Sequence, residues 1–147
     1  MKSIKVYGVS FVLVLGAASI AGCASTGAAF TPVTPIPAGK GVVYIYRQPK
    51  FAGGGVYGTV TANKVPLTKI RNGGYYPYIS SPGQVHFEVS TEATNEADVT
   101  VEAGKETYLK TSVGIGFLVG HLKFSEVSSD IGSSEIQECK LLDPIGQ

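Results

Sequence analysis

Ser81-Pro82-Gly83-Gln84-Val85-His86-Phe87-Glu88-Val89 is the stretch that decides the fold. Its first residues turn the chain, because proline fixes φ and glycine supplies the positive φ that a type II turn demands. Beyond the turn, Val85, Phe87 and Val89 alternate with His86 and Glu88. An alternation of this kind makes a strand with one face in a core and the other in water.

The same grammar extends in both directions. Upstream, Gly41-Val-Val-Tyr-Ile-Tyr-Arg47 is β-branched and aromatic on both faces, as a central strand would be. The segments 56–61 and 65–70 flank a turn at Ala62-Asn63-Lys64 and read as a hairpin, and Asn72-Gly73-Gly74 turns the chain into Tyr75 to Ile79. Downstream, Val99 and Val101 alternate with Asp98, Thr100 and Glu102, and Ala103-Gly104-Lys105 reverses the chain into 106–113. A further strand is expected over 121–127, and Ser133 is expected to cap a short C-terminal helix through Glu135, Ile136 and Cys139, with Pro144 beyond its end. The fold class expected is all-β, a single antiparallel β-sandwich of about seven to eight strands with a short C-terminal helix.

The first 22 residues stand apart from that pattern. Lys2 and Lys5 give a positive start, an apolar run opens near Val6, and Ile20-Ala21-Gly22-Cys23 closes the segment. The run is short for a bilayer span, which needs about 20 apolar residues, so residues 1–22 are expected to be a targeting signal and no part of the fold. Ile20-Ala21-Gly22-Cys23 resembles the lipobox of bacterial lipoprotein precursors. That resemblance implies cleavage between Gly22 and Cys23, a diacylglycerol thioether on Cys23, and often a further acyl chain on its amino group. Two or more acyl chains anchor a protein firmly where one gives only marginal binding. Ala24-Ser25 follows the cysteine where an aspartate would favour retention in the inner membrane; by the same resemblance the protein is expected on the outer membrane, facing the periplasm.

Residues 23–40 carry small and polar side chains punctuated by Pro32, Pro35 and Pro37. They are expected to be the lipidated N-terminus and a Pro-rich flexible tether, with the β-sandwich domain over 41–147. At about 3.1 Å per residue such a segment would hold the domain as far as roughly 50 Å from the bilayer. The alternative is that part of it, near Val33 to Ile36, lies against the domain as an extended edge.

Composition narrows the function classes. Two of the 12 basic residues, Lys2 and Lys5, fall in the leader, leaving 10 against 11 acids in the mature chain. A neutral balance argues against a nucleic-acid partner, whose electrostatic signature is a strongly basic surface. The charges are uneven along the chain: Lys40, Arg47, Lys50, Lys64, Lys69 and Arg71 all precede the first acid, Glu88. The 125 residues left after cleavage suffice for one domain of ordinary size. With Cys23 acylated, Cys139 has no intramolecular partner, and burial is its expected fate, an intermolecular bond the alternative.

The order of a Gly-Val-Val-Tyr-Ile-Tyr-Arg strand, a hairpin, the Ser-Pro-Gly-Gln-Val-His-Phe-Glu-Val stretch and an Ala-Gly-Lys-Glu-Thr-Tyr-Leu turn resembles a family of uncharacterised bacterial lipoproteins. Their small β-sandwich is similar in pattern to PEGA-type and transthyretin-like modules. Ser81-Pro82-Gly83-Gln84 departs from the literal Pro-Glu-Gly-Ala signature. The resemblance covers about residues 40 to 142 and implies a fold, with no reaction attached to it.

Residues with chemical potential are sparse. His86, His121 and Cys139 offer three ligand types but lack the short pair spacing of a zinc site, so no metal or other cofactor is expected. The serines lack a Gly-x-Ser-x-Gly elbow, Glu88, Glu102 and Glu126 read as solvated strand residues, and Gly53-Gly54-Gly55 lacks the Gly-Lys-Ser/Thr ending of a phosphate loop. The expectation is that the protein is not an enzyme. Tyr75, Tyr76 and Tyr78 are candidate contacts for a protein partner or a glycan, such as peptidoglycan or lipopolysaccharide sugar. The competing reading is a sheet-edge strand with Tyr76 and Tyr78 on the face opposite Tyr75 and Pro77, one pair exposed. Ile115, Phe117 and Leu118, in a glycine-punctuated apolar stretch, are candidates for a loop that meets the membrane or a partner, or else a buried strand. Together these readings point to an envelope lipoprotein held to membrane lipid through Cys23, serving as a non-catalytic binding or structural module. The alternative is a glycan-binding module, with a small hydrolase a third reading.

Overall fold

The computed structural model describes residues 25–114 and 120–146. Among them, two sheets face each other as a β-sandwich. The strands are β1 (Gly41–Tyr46), β2 (Gly58–Ala62), β3 (Val65–Ile70), β4 (Gly74–Ser80), β5 (Gly83–Ser90), β6 (Thr94–Val101), β7 (Glu106–Gly114), β8 (His121–Val127) and β9 (Lys140–Leu141). One sheet has the order β8-β7-β1-β4-β9 and the other β3-β2-β5-β6. The four-stranded sheet is antiparallel throughout. The five-stranded sheet is not, because β1 runs parallel to β7 and β4 parallel to β9. The expected sandwich is thus observed, with two parallel pairings added to an otherwise antiparallel arrangement.

Local chemistry explains the elements. The β2–β3 turn puts both Asn63 (φ 47) and Lys64 (φ 69) in the left-handed region, as a two-residue hairpin turn of the right twist requires. Asn63 then accepts the His86 backbone N–H through Oδ1 at 3.0 Å, which ties the turn to β5. In β5 the alternation is realised as read: Val85, Phe87 and Val89 are buried and their neighbours are not. They join Val43, Ile45, Val60, Leu109 and Leu122 in the core between the sheets.

β1 is buried along its whole length, and that requires a third layer. The outer side of the five-stranded sheet carries Val42, Tyr44, Tyr46, Tyr75 and Tyr108. Over them lie α1 (Ser129–Glu135), the 3-10 turn Ile136–Glu138, and the N-terminal residues 25–40. Phe30 meets Tyr44 and Tyr75 edge-on at 5.3 and 5.1 Å, and the Tyr44 hydroxyl accepts the Val33 N–H at 2.7 Å. Residues 25–40 are therefore a strap, correcting the reading of 23–40 as a free tether and extending the alternative that only Val33 to Ile36 touch the domain.

The helix also differs from expectation. It begins after Ser128, an extended residue with φ −61 and ψ 154, and Ser133 lies inside it. Gly132, which the expected cap at Ser133 left outside the helix, lies within it although glycine weakens a helix. The reason for glycine is contact: a Cβ at position 132 would sit 2.2 Å from Tyr108 Cγ.

Both long sides of the sandwich are closed. On one, Asn95 Oδ1 accepts the Phe124 N–H across the sheets at 2.8 Å. On the other, the tail after β9 crosses over: the Thr68 hydroxyl donates to Asp143 O at 2.7 Å, and the Ile145 N–H to Leu67 O at 2.8 Å. Edge strands covered in this way are protected from pairing with other chains.

Candidate functional site

β1 ends at Arg47, and there the chain turns into the glycine-rich segment 48–57. Arg47 is 2 % exposed. Its Nη1 donates to Val56 O, and its Nη2 to Gly53 O at 2.6 Å. A buried guanidinium needs such partners, since leaving one unsatisfied is costly. Burial lowers its pKa from the ordinary arginine value. The loop is tightened further by Val56 N–H to Gly53 O at 3.0 Å and Lys50 N–H to Asn72 Oδ1 at 2.9 Å. Within this clamped loop Phe51 is fully exposed and Tyr57 is largely so.

Several other segments converge on the same end of the sandwich. Ser25, at the start of the strap, donates from both N and Oγ to Asn72 O at 3.2 Å. Arg71 lies 6.0 Å from the centre of the Tyr57 ring, within cation–π reach. A cleft of about 240 Å³ is lined by Ser25, Lys69, Arg71, Leu141, Asp143 and Ile145, among others. Lys50, Lys69 and Arg71 have no carboxylate within 4.0 Å among the described residues. The basic residues clustered in sequence before Glu88 are thus partly gathered in space.

The tyrosines are placed differently from an exposed binding face. Tyr75 and Tyr76 alternate, and so do Pro77 and Tyr78, which agrees with the strand reading. Neither pair is exposed, however. Tyr75 is buried under the strap, and Tyr76 and Tyr78 are half-buried. Tyr78 packs edge-to-face on Phe87 at 5.3 Å. The three rings therefore do not form one flat platform. Cys23, Ile115, Phe117 and Leu118 lie outside the described residues.

No family model matches this chain, and neither a curated protein nor a solved structure matches it.

The two histidines and Cys139 lie on different elements. His121 opens β8, His86 lies on β5 in the other sheet, and Cys139 is buried between the 3-10 turn and the outer face, donating to Arg47 O at 3.4 Å. Burial pushes the Cys139 thiol up to about 12, so it is an unreactive thiol in the folded protein. Glu88 is paired with Lys64 at 2.7 Å and Glu102 with Lys105 at 2.6 Å, while Glu126 belongs to the other sheet.

Register brings together one group that the sequence reading missed. β5 and β6 pair His86 with Asp98 and Glu88 with Glu96, and ligand atoms of His86, Glu88 and Glu96 lie within 4.8 Å of one another. These groups are already engaged, His86 Nδ1 with Asp98 at 2.7 Å and Glu88 with Lys64. A cation there would have to displace Lys64. The signal in the sequence was two consecutive strands each with alternating polar residues, but it becomes a cluster only once the pairing register is known.

The ion pair whose two partners are together the most buried among the described residues fastens the helix. Glu135 accepts from Lys110 at 2.6 Å and from the Tyr46 hydroxyl. Desolvation acts upward on this carboxyl, but the hydrogen bonds from Lys110 and Tyr46 outweigh it, and its pKa lies below the ordinary 4.5. A lowered folded-state pKa contributes stability that is present above the unfolded value and lost as pH falls through the folded one. Stability is therefore expected to decline below about pH 4.5, and Glu135→Gln to flatten that acid limb while costing about 1 kcal/mol at neutral pH. Thermal melts across the acid range check both.

Proposed function

We propose that this protein is a lipid-anchored envelope lipoprotein whose sandwich serves as a non-catalytic binding or structural module for another envelope component. The observation that carries the reading is the junction of leader and fold. The lipobox ends at Cys23, and two residues further on Ser25 is hydrogen-bonded to the β3–β4 turn. Acylation at Cys23 would fix a preformed, three-layered domain directly to a membrane. The residues at positions 24 and 25 favour the outer membrane by likeness to other lipoproteins.

Two experiments test it. Cys23→Ser, expressed in the native cell and fed an alkyne analogue of palmitate, is expected to lose the label and leave the membrane fraction. Retention of label would refute acylation at this residue. Photocrosslinkers in place of Val65 and Ile131, both exposed apolar positions, are expected to yield a discrete protein adduct in cells. Recovery of the monomer alone at both positions would count against a binding module.

A further inference from the structure

The acylation reading, taken with the strap, fixes which way the domain faces. Cys23 is two Cα–Cα steps of about 3.8 Å from Ser25, so its Cα lies within about 8 Å of Ser25 whatever the conformation between them. Ser25 is bound to Asn72, and Asn72 holds the backbone N–H of Lys50, the neighbour of Phe51. Acyl chains on Cys23 would enter the bilayer beside that loop. The opposite end, with the Ala103-Gly104 turn and the start of β1, is separated from it by six strand residues, about 20 Å.

We propose that the end of the sandwich formed by the β1–β2 loop, the β3–β4 turn and the cleft beside Ser25 is a bilayer-docking face. Phe51 enters the boundary between headgroups and acyl chains, and Lys50, Lys69 and Arg71 engage the phosphates of anionic phospholipid. The inference rests on acylation of Cys23.

Three observations beyond the anchor position support this occupant. Phe51 is 104 % exposed, yet its loop is held by the buried Arg47, so the ring is presented from a fixed support and is not exposed through slackness. Tyr57, Leu141 and Ile145 add further exposed apolar surface at the same end. Lys50, Lys69 and Arg71 stand at this end with no carboxylate within 4.0 Å among the described residues, while Asp143 and Glu92 line the cleft and the adjoining groove and Glu135 lies near Lys50. Apolar and aromatic side chains fringed by basic ones are what an interface between anionic headgroups and acyl chains selects. Each cation contributes only a few-fold to partition, about 1 kcal/mol. The face therefore orients a domain that the acyl chains already hold.

The test uses the full-length acylated protein reconstituted in vesicles of phosphatidylethanolamine and phosphatidylglycerol. A bimane is placed at Phe51→Cys or, for the far end, at Ala103→Cys; Cys139 is buried and stays unlabelled. Nitroxide lipids are expected to quench the label at 51 and leave the label at 103 bright. Combined Lys50→Gln, Lys69→Gln and Arg71→Gln replacement is expected to bring quenching at 51 close to that at 103 without removing the acyl mass. Equal quenching at 51 and 103 in protein carrying that mass would overturn the orientation alone. Protein that carries no acyl mass and fails to float with vesicles would overturn the anchoring and the orientation together.

Discussion

Phe87→Ala is expected to lower the free energy of unfolding by about 3–5 kcal/mol, a large share of the roughly 5–15 kcal/mol that holds an ordinary domain together. Phe87 is completely buried at the middle of β5. Its partners in register are Ala62 on β2 and Ala97 on β6. The ring fills the volume that these two small residues leave, and it meets the edge of Tyr78 from the facing sheet. Neither alanine has side chain to move into a vacated site, and the β2–β5–β6 ladder holds their backbones apart. The cavity would persist, which puts the cost at the upper end for such changes. Urea denaturation should show a lower midpoint with an unchanged slope. His86→Ala, one residue away on the outer face, should cost about 1 kcal/mol or less, since its partner Asp98 is exposed.

The second large effect is expected at Gly132. A leucine there would place Cβ 2.2 Å from Tyr108 Cγ, and Tyr108 has nowhere to go. It is 3 % exposed and wedged beside Tyr44 at 5.3 Å. The helix must lift instead, at a cost of about 3 kcal/mol, the upper part of the range for overpacking. Lifting breaks the pair of Glu135 with Lys110 and uncovers Ile136 and Cys139. Because Cys139 is otherwise sealed, its reaction with a thiol reagent reports that opening directly. About 3 kcal/mol corresponds to a roughly hundredfold faster reaction, 1.4 kcal/mol being tenfold. An unchanged rate would mean that the helix is not what shields Cys139.

Both residues show how far the sequence could be read. Phe87 was legible because a half-buried strand leaves a period-two signature, and the turns around it carry their own residues. β1 was legible as a central strand because it is apolar on both faces. That property implied a covering layer, but which segment covers it depends on distant pairing. Residues 25–40 look like a spacer by composition, since they are mostly small and polar and are punctuated by Pro32, Pro35 and Pro37. Phe30, Val33 and Ile36 become meaningful only beneath a sheet face lined by Tyr44 and Tyr75. Gly132 falls before the helix that Ser133 was expected to cap, and its place inside the helix follows from the ring of Tyr108 beneath it.

The candidate docking end was harder to read. Phe51 is a single aromatic residue in a glycine-rich loop, with no periodicity to mark it. Its one advance signal was Arg47, a charge placed directly after a fully apolar strand and so forced to find internal partners. Lys69 and Arg71 are close in sequence, but their proximity to Ser25 arises from the β3–β4 turn and the C-terminal crossover. The parallel pairing of β4 with β9, two residues long, has no local signature at all.

The measurement that bears most directly on the account is the intact mass of the protein extracted from native membranes. The account predicts a chain beginning at Cys23, lacking residues 1–22, and heavier than its amino-acid sequence by a diacylglycerol group with or without a further acyl chain. A chain cleaved elsewhere, or one beginning at Cys23 with no added lipid mass, would contradict it.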